Sequence, residues 1–490
     1  MKTPFAISAL LLLCVSISRA EIIPASFDLE AIRDPGTLEI EVLQDWKPAA
    51  KVKDVRQKLI EITVCEWWPG QKVRLPVTLC APDSGKGPCE NMIVANMGLA
   101  PKAALPTGAL LKLLVERKVG VVLVGMGTID AMEPAGKLHL GMQEHLLKTK
   151  DARYTPAWIW GMSDMRALTA AITEKEVFRP VKVLATGGSK RGVGAAICGI
   201  HDERFTAILP VVAPMLGNPG GAYVRGSALH EEVAANEAFL AQLPPGPNPL
   251  GLPDTAREAL LEREQRRIDQ AITRERAVEA GWTKDEMLAM NDAAWDACRI
   301  ASHLDRVRAR GLEFFYHVGT NDNVCPALRS LGEKHPDFPL YILPGGQHGG
   351  PRTSGFTLQT PSRPEADENL HAFACHHFFG DRGLPSAPEL SLVSEGGGAA
   401  LKISVTLKEG VRPAANVVSW CIDRSPPYTF ATEYDHWESA PLTETSPGVF
   451  MAEVPVPAGA GAVDLVSTHT HVENGVPFHF SSAYHRWERP

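Results

Sequence analysis

Residues 181–200 read VKVLATGGSKRGVGAAICGI, and this stretch decides the fold. Val181, Val183 and Leu184 form a short apolar run of β-prone residues, the pattern of a buried strand. The run stops at Gly187-Gly188-Ser189, and small residues then crowd the chain: Gly192, Gly194, Ala195, Ala196 and Gly199. Small side chains let a helix lie close against a sheet. A strand, a sharp Gly-rich turn with a central serine and a close-packed helix together make a nucleophile elbow. Such a turn forces Ser189 into a strained backbone conformation and leaves its hydroxyl exposed at the strand's carboxyl end. The helix start supplies positive potential and backbone N–H groups for an oxyanion, that of Lys190 first among them. The full G-x-S-x-G pattern is not met, because Arg191 holds the second place after the serine and Gly192 the third. A lone G-x-S also suits a plain strand-ending turn. The strand and helix flanks are what point to the elbow.

A serine hydroxyl is a poor nucleophile near neutral pH and needs a base, which in turn needs an orienting carboxylate. In chains built on such an elbow the order is Ser, then acid, then His. The strand-like run Leu312–Val318 is followed by Gly319-Thr320-Asn321-Asp322, which puts a carboxylate just past a late strand. The next run, Leu340–Leu343, is followed by Pro344-Gly345-Gly346-Gln347-His348. Ser189, Asp322 and His348 are therefore the candidate catalytic residues of an α/β-hydrolase. Taken singly, a loop Asp is a common turn residue and a loop His a common solvated one. Three such fragments in the right order are harder to explain so. His317 falls inside a strand and is expected to be packed. His376-His377 read as the end of a helix, and Ser163 lies in a helical stretch without an elbow.

The second oxyanion N–H is expected from the loop after the apolar run Met92–Ala95, at Met97, with Asn96 beside the substrate. Lys190 and Arg191 place two cations at a helix start, where they oppose the macrodipole. Surface ion pairing accounts for them equally well. If one of them reaches the pocket, it suits an anionic group beside the scissile ester, and Arg191 can hold a carboxylate through two parallel hydrogen bonds.

Around this centre, Arg56–Val64 and Lys72–Cys80 alternate as an antiparallel pair. Met92–Ala95, Gly120–Val124 and Phe205–Val212 read as strands, Leu105–Arg117 and Asp151–Ile172 as helices, and Glu365–Phe379 as a closing helix. Glu21–Lys51 reads as an irregular lead-in. Between strands, about 213–304, lies a Pro/Gly-rich loop and a charged helical run, either a cap over the strand ends or solvated side helices. From about Ala387 short alternating strands separated by Gly, Pro and Ser, at Glu389–Val393, Ala400–Leu407, Asn416–Ile422, Val449–Val454, Ala462–Thr468 and Phe478–His485, suggest an immunoglobulin-like β-sandwich over 387–490. The expected organisation is thus an α/β-hydrolase domain over 21–385 with a cap insertion, followed by an all-β domain. The length of 490 residues accommodates both.

Lys2, the apolar run Phe5–Ile17 and Ser18-Arg19-Ala20 read as a signal peptide over 1–20, too short for a membrane anchor. An exported protein, periplasmic or secreted, is expected. A net charge of −8 with no basic patch argues against nucleic acid as a partner. Eight cysteines remain after Cys14, and Cys80–Cys89, flanking a turn-rich segment, is the preferred disulfide. Cys198, on the small-residue helix, reads as a buried thiol. No cysteine or histidine spacing suggests a metal, and none of the chemistry requires a cofactor.

The block Ala185-Thr186-Gly187-Gly188-Ser189-Lys190-Arg191-Gly192 resembles the elbow of the PhoPQ-activated pathogenicity-related proteins, also described as autocrine-proliferation-repressor-like. Glu144–Leu168, His317–Pro326 and Leu343–His348 are similar to the blocks that accompany it, so the resemblance spans most of Arg56–Phe379. It implies an exported α/β-hydrolase, and the chain departs from the pattern around Ala213-Pro214 and through the cap. The G-x-S-basic-x-G spacing is also similar to that of glucuronoyl esterases, which implies esters of uronic acids. The combined expectation is a serine carboxylesterase acting through an acyl-enzyme on a small-molecule or glycan ester. An aminopeptidase-like amide hydrolase and a non-catalytic binding protein on the same shell remain alternatives.

Overall fold

Strands buried on both faces need continuous apolar runs, and half-buried strands need alternation; the main sheet uses both. Its antiparallel side is β1 (Ile40–Pro48), β2 (Val55–Trp68) and β3 (Gln71–Pro82). Its parallel part is β4 (Cys89–Asn96), β5 (Gly120–Val124), β6 (Phe178–Gly188) and β7 (Ala207–Val211). A two-residue parallel pair, β8 (Val224–Arg225) with β9 (Ile272–Thr273), stands apart. The main sheet then continues with β10 (Glu313–Phe314), β11 (Tyr316–Gly319) and β12 (Leu340–Leu343). The structure, a computed structural model, describes residues 21–83, 87–96, 105–126, 138–218, 224–225, 238, 241, 272–322, 324–348, 364–394, 400–408, 410–425, 432 and 435–490.

Strand order is β1-β2-β3-β5-β4-β6-β7-β11-β12, with β10 on β7. All pairings from β5 to β12 are parallel. Reversal of sequence order at β5-β4 followed by a monotonic run is the α/β-hydrolase fold, as expected from the elbow. Alternation along β4 divides the core. Met92 and Val94 enter the cluster containing α4 (Pro156–Thr173) and α5 (Lys190–His201), which lies on one face. Ile93 and Ala95 enter the cluster on the other face with α2 (Gly108–Arg117) and the closing helix Pro364–Phe379. The small residues of α5 act as expected. A Cβ on Gly194 would sit 3.1 Å from the Trp160 carbonyl, and one on Gly199 would sit 2.5 Å from Ile208 Cγ2.

Three expectations are corrected. The lead-in is structured: it holds a short helix, Leu29–Arg33, and β1, whose mostly exposed side chains mark an edge strand without a clear apolar alternation. Cys80 and Cys89 are not a pair, since β5 runs between their strands and they fall in the clusters of opposite sheet faces. Two strand spacings, about 9–10 Å, exceed what a disulfide can bridge. No disulfide joins any of the cysteines from Cys65 to Cys421. Finally, the last strand expected at Phe478–His485 is two strands, and Glu438–Pro441 and Thr443–Ser446 were not foreseen.

Residues 219–223, most of 226–271 and the loop after His348 lie outside the described set. The part of the insertion that is described packs against the segment 146–152 ahead of α4. Trp282 Nε1 donates to the Leu147 carbonyl at 2.9 Å, and Lys150 pairs with Glu286 at 2.6 Å. Trp282, Met287, Met290 and Ala294 close a small core with Leu146 and Ala152. After Ala387 all pairings are antiparallel and form two sheets. One has the order β13 (Glu389–Ser394), β14 (Ala400–Thr406), β18 (Val449–Pro455), β17 (Thr443–Ser446). The other is β16 (Glu438–Pro441), β15 (Ala415–Ile422), β19 (Ala462–Glu473), β20 (Val476–Ser481), with β21 (His485–Glu488) also on β19.

Candidate active site

Ser189 sits between the end of β6 and the start of α5 with φ 59° and ψ −128°. A non-glycine residue there costs on the order of 1–3 kcal/mol, and it persists where the surroundings hold it. Its N–H donates to the Val211 carbonyl at 2.9 Å, and its carbonyl accepts from Val193 N–H at 3.0 Å. Gly187 explains how an arginine is accommodated two places after the serine. A Cβ on Gly187 would lie 2.8 Å from Arg191 Cβ, so only one of these positions can carry a side chain there. Gly192 is confined by the Val211 carbonyl, 2.8 Å from where its Cβ would stand.

Asp322 and His348 follow β11 and β12, neighbours in the parallel part of the main sheet. Asp322 is buried and its Oδ1 accepts from Val324 N–H at 2.9 Å. His348 Nδ1 lies 3.0 and 3.1 Å from the two carboxylate oxygens, and its Nε2 is 2.6 Å from Ser189 Oγ. In the tautomer with Nδ1–H facing the carboxylate, Nε2 presents its lone pair to the Ser189 hydroxyl and can accept a hydrogen bond from it. The His348 side chain is 34% exposed while that of Asp322 is fully covered. An incoming carbonyl therefore meets the serine and imidazole but not the carboxylate. The two loops are also bound to each other: Thr320 N–H donates to the Leu343 carbonyl at 3.1 Å, Asn321 N–H to the Gly346 carbonyl at 2.9 Å, and Gly345 N–H to Thr320 Oγ1 at 2.8 Å.

Lys190 and Arg191 open α5, both half-buried beside Ser189. Met97 lies outside the described residues. Asn96 does not occupy the position expected of a substrate contact. It is 2% exposed, and its Nδ2 donates to Asp164 Oδ1 at 2.8 Å and to Met126 Sδ at 3.3 Å. Strand parity is the physical reason: Asn96 shares the face of Met92 and Val94, turned toward α4. Asp164 is itself a buried acid, and burial pushes its carboxyl up to about 8, against the opposing hydrogen bond from Asn96. The glycine at 194 makes room for it, since a Cβ there would lie 2.9 Å from Asp164 Oδ2. Sequence reasoning missed Asp164, although an Asp amid the apolar run of α4 was visible. The other candidates fall as expected: His317 is fully buried in β11, and Ser163 donates to the Ile159 carbonyl within α4. Among the described residues no cluster of metal-binding side chains is present, and no helix is long and apolar enough to cross a membrane.

No protein-family model matches the chain, and no curated protein does. The resemblance to the PhoPQ-activated proteins therefore rests on the blocks quoted above. Among solved structures, the chain is similar to an acetyl xylan esterase from Paenibacillus sp. R4, with 15% identity over 71% of this chain and 91% of that one, TM-score 0.41. It is also similar to a glucuronoyl esterase from Solibacter usitatus, with 17% identity over 61% and 71% of the two chains, TM-score 0.33. A glucuronoyl esterase from Teredinibacter turnerae T7901 gives 16% identity over 70% and 79%, TM-score 0.36.

Proposed function

We infer that the protein is a serine hydrolase of the carboxylesterase type. One observation carries the reading: a continuous Ser189–His348–Asp322 hydrogen-bonded chain, 2.6 Å and then 3.0–3.1 Å, with the serine at a strained elbow. In this reading Ser189 Oγ attacks the ester carbonyl carbon while His348 Nε2 takes its proton. Asp322 holds the Nδ1–H tautomer and stabilises the imidazolium that forms. The backbone N–H of Lys190, at the start of α5, receives the oxyanion. His348 then returns the proton to the departing alkoxide, leaving an acyl group on Ser189. Water, deprotonated by the same imidazole, releases the acid and restores the serine. The substrate class is a carbohydrate ester with an anionic group, held by Arg191, by analogy with the G-x-S-basic-x-G spacing. Export through a signal peptide over residues 1–20 belongs to the same reading.

The test is hydrolysis of p-nitrophenyl acetate by the wild type and by Ser189→Ala. The expected loss of kcat is ~10³-fold or more, since only binding and the oxyanion donors remain. Equal turnover by both proteins overturns the reading.

A further inference from the structure

We propose that the C-terminal all-β region acts as a strut that holds the acid loop, with Arg424 and Trp437 as positioning residues for Asp322. The inference rests on the hydrolase reading above. The residue next to Asp322 makes side-chain contacts with residues more than a hundred positions away in sequence. Trp437 Nε1 donates to Asn321 Oδ1 at 2.9 Å, and Asn321 Nδ2 donates to the Asp435 carbonyl at 2.9 Å. The same Asn321 Oδ1 accepts from Thr320 Oγ1 at 3.0 Å, so both ends of the amide are engaged. Asn321 is 2% exposed, and a buried amide bonded at both ends has one orientation.

Arg424 grips the loop one residue earlier. Its guanidinium donates to the Thr320 carbonyl and, at 2.8 Å, to Tyr484 Oη, and pairs with Asp435 at 3.4 Å. Its side chain is 10% exposed. The ring of Trp437 also lies against the histidine loop, 4.0 Å from where a Cβ on Gly345 would stand. The strut continues along the sheet that carries both loops. Ile342 N–H, on β12, donates to Ser481 Oγ at 2.9 Å, and the Phe315 and Phe478 rings are 4.7 Å apart.

This arrangement gives the β region a task other than binding. The carboxylate and the imidazole must keep about 0.5 Å precision for proton transfer, and both stand on loops. The loops brace each other, and the third brace comes from the C-terminal region. Removing one of its donors leaves Asp322 in place chemically but free to shift with Thr320 and Asn321.

The test uses the full chain and the variants Trp437→Phe, which keeps an aromatic side chain but loses the indole N–H with its five-membered ring, and Arg424→Lys. Lys402→Ala, on an exposed ion pair of β14, is the control. Trp437→Phe should lower kcat about 5- to 10-fold with KM unchanged, and Arg424→Lys more, while the control keeps wild-type kcat. In parallel, the downfield proton resonance of His348 Nδ1–H, assigned by its loss in His348→Ala, should shift or broaden in Trp437→Phe and stay in place in the control. That resonance is read without substrate, so it tests the strut even where the wild type hydrolyses no ester. A folded Trp437→Phe with unchanged kcat and unchanged resonance overturns the proposal. So does an effect confined to KM.

Discussion

Asp164→Asn tests the buried acid beneath the β4 end and isolates a single titration. Burial puts the Asp164 carboxyl at about 8 in the folded chain against an ordinary 3.8. The folded protein thus holds this proton more tightly than the unfolded chain, and stability falls as pH rises wherever only the folded form is protonated. The contribution is whole below about pH 4, declines by about 1.4 kcal/mol per unit between roughly pH 4 and 8, and is gone above. Over four units this amounts to on the order of 5 kcal/mol, a large share of a typical domain's stability. Asparagine has nearly the same shape, keeps an oxygen for Asn96 Nδ2, and is neutral throughout. Urea unfolding of the wild type and Asp164→Asn at intervals from pH 4 to 9 gives the difference between them, in which other titrating groups cancel. That difference should grow in favour of the variant as pH rises and level off above about 8. A difference that is flat across the window refutes the reasoning.

Asp322→Asn should lower kcat by about 10³–10⁴-fold with the fold intact, because the neutral amide favours the wrong imidazole tautomer; steady-state kinetics with a circular-dichroism control checks it. Wild type should prefer a uronate methyl ester to its neutral sugar analogue by ~10-fold or more, and Arg191→Ala or Lys190→Ala should abolish the preference. Intact-mass analysis of material from the native host should find the mature chain starting near Glu21, and a retained Met1 would contradict export through this signal.

The elbow was legible because it is local. An apolar run, a Gly-Gly-Ser turn and a row of small residues need no distant partner to be recognised, and α5 uses each of those glycines against Trp160, Ile208 and Val211. That Asp322 and His348 meet at Ser189 was legible through chain order, each following a β-prone run. Asn96 was misjudged although its parity with Met92 and Val94 was available, since nearness to the oxyanion loop was weighed above the face it shares. The Cys80–Cys89 pairing failed on the β5-β4 reversal, a topological fact that neighbouring residues in sequence do not carry. Edge strand β1 escaped notice because its exposed residues have no apolar face to display. Arg424 and Trp437 gave no signal at all, because their meaning arises only where a second layer of sheets meets the acid loop.

The central claim is that Ser189 is a nucleophile activated by His348. Incubation of the folded full chain with a fluorophosphonate probe, followed by peptide mapping, tests it most directly. The account predicts a single stoichiometric label on Ser189, lost in Ser189→Ala and slowed in His348→Ala. A folded protein that takes no label, or takes it at another residue, contradicts it.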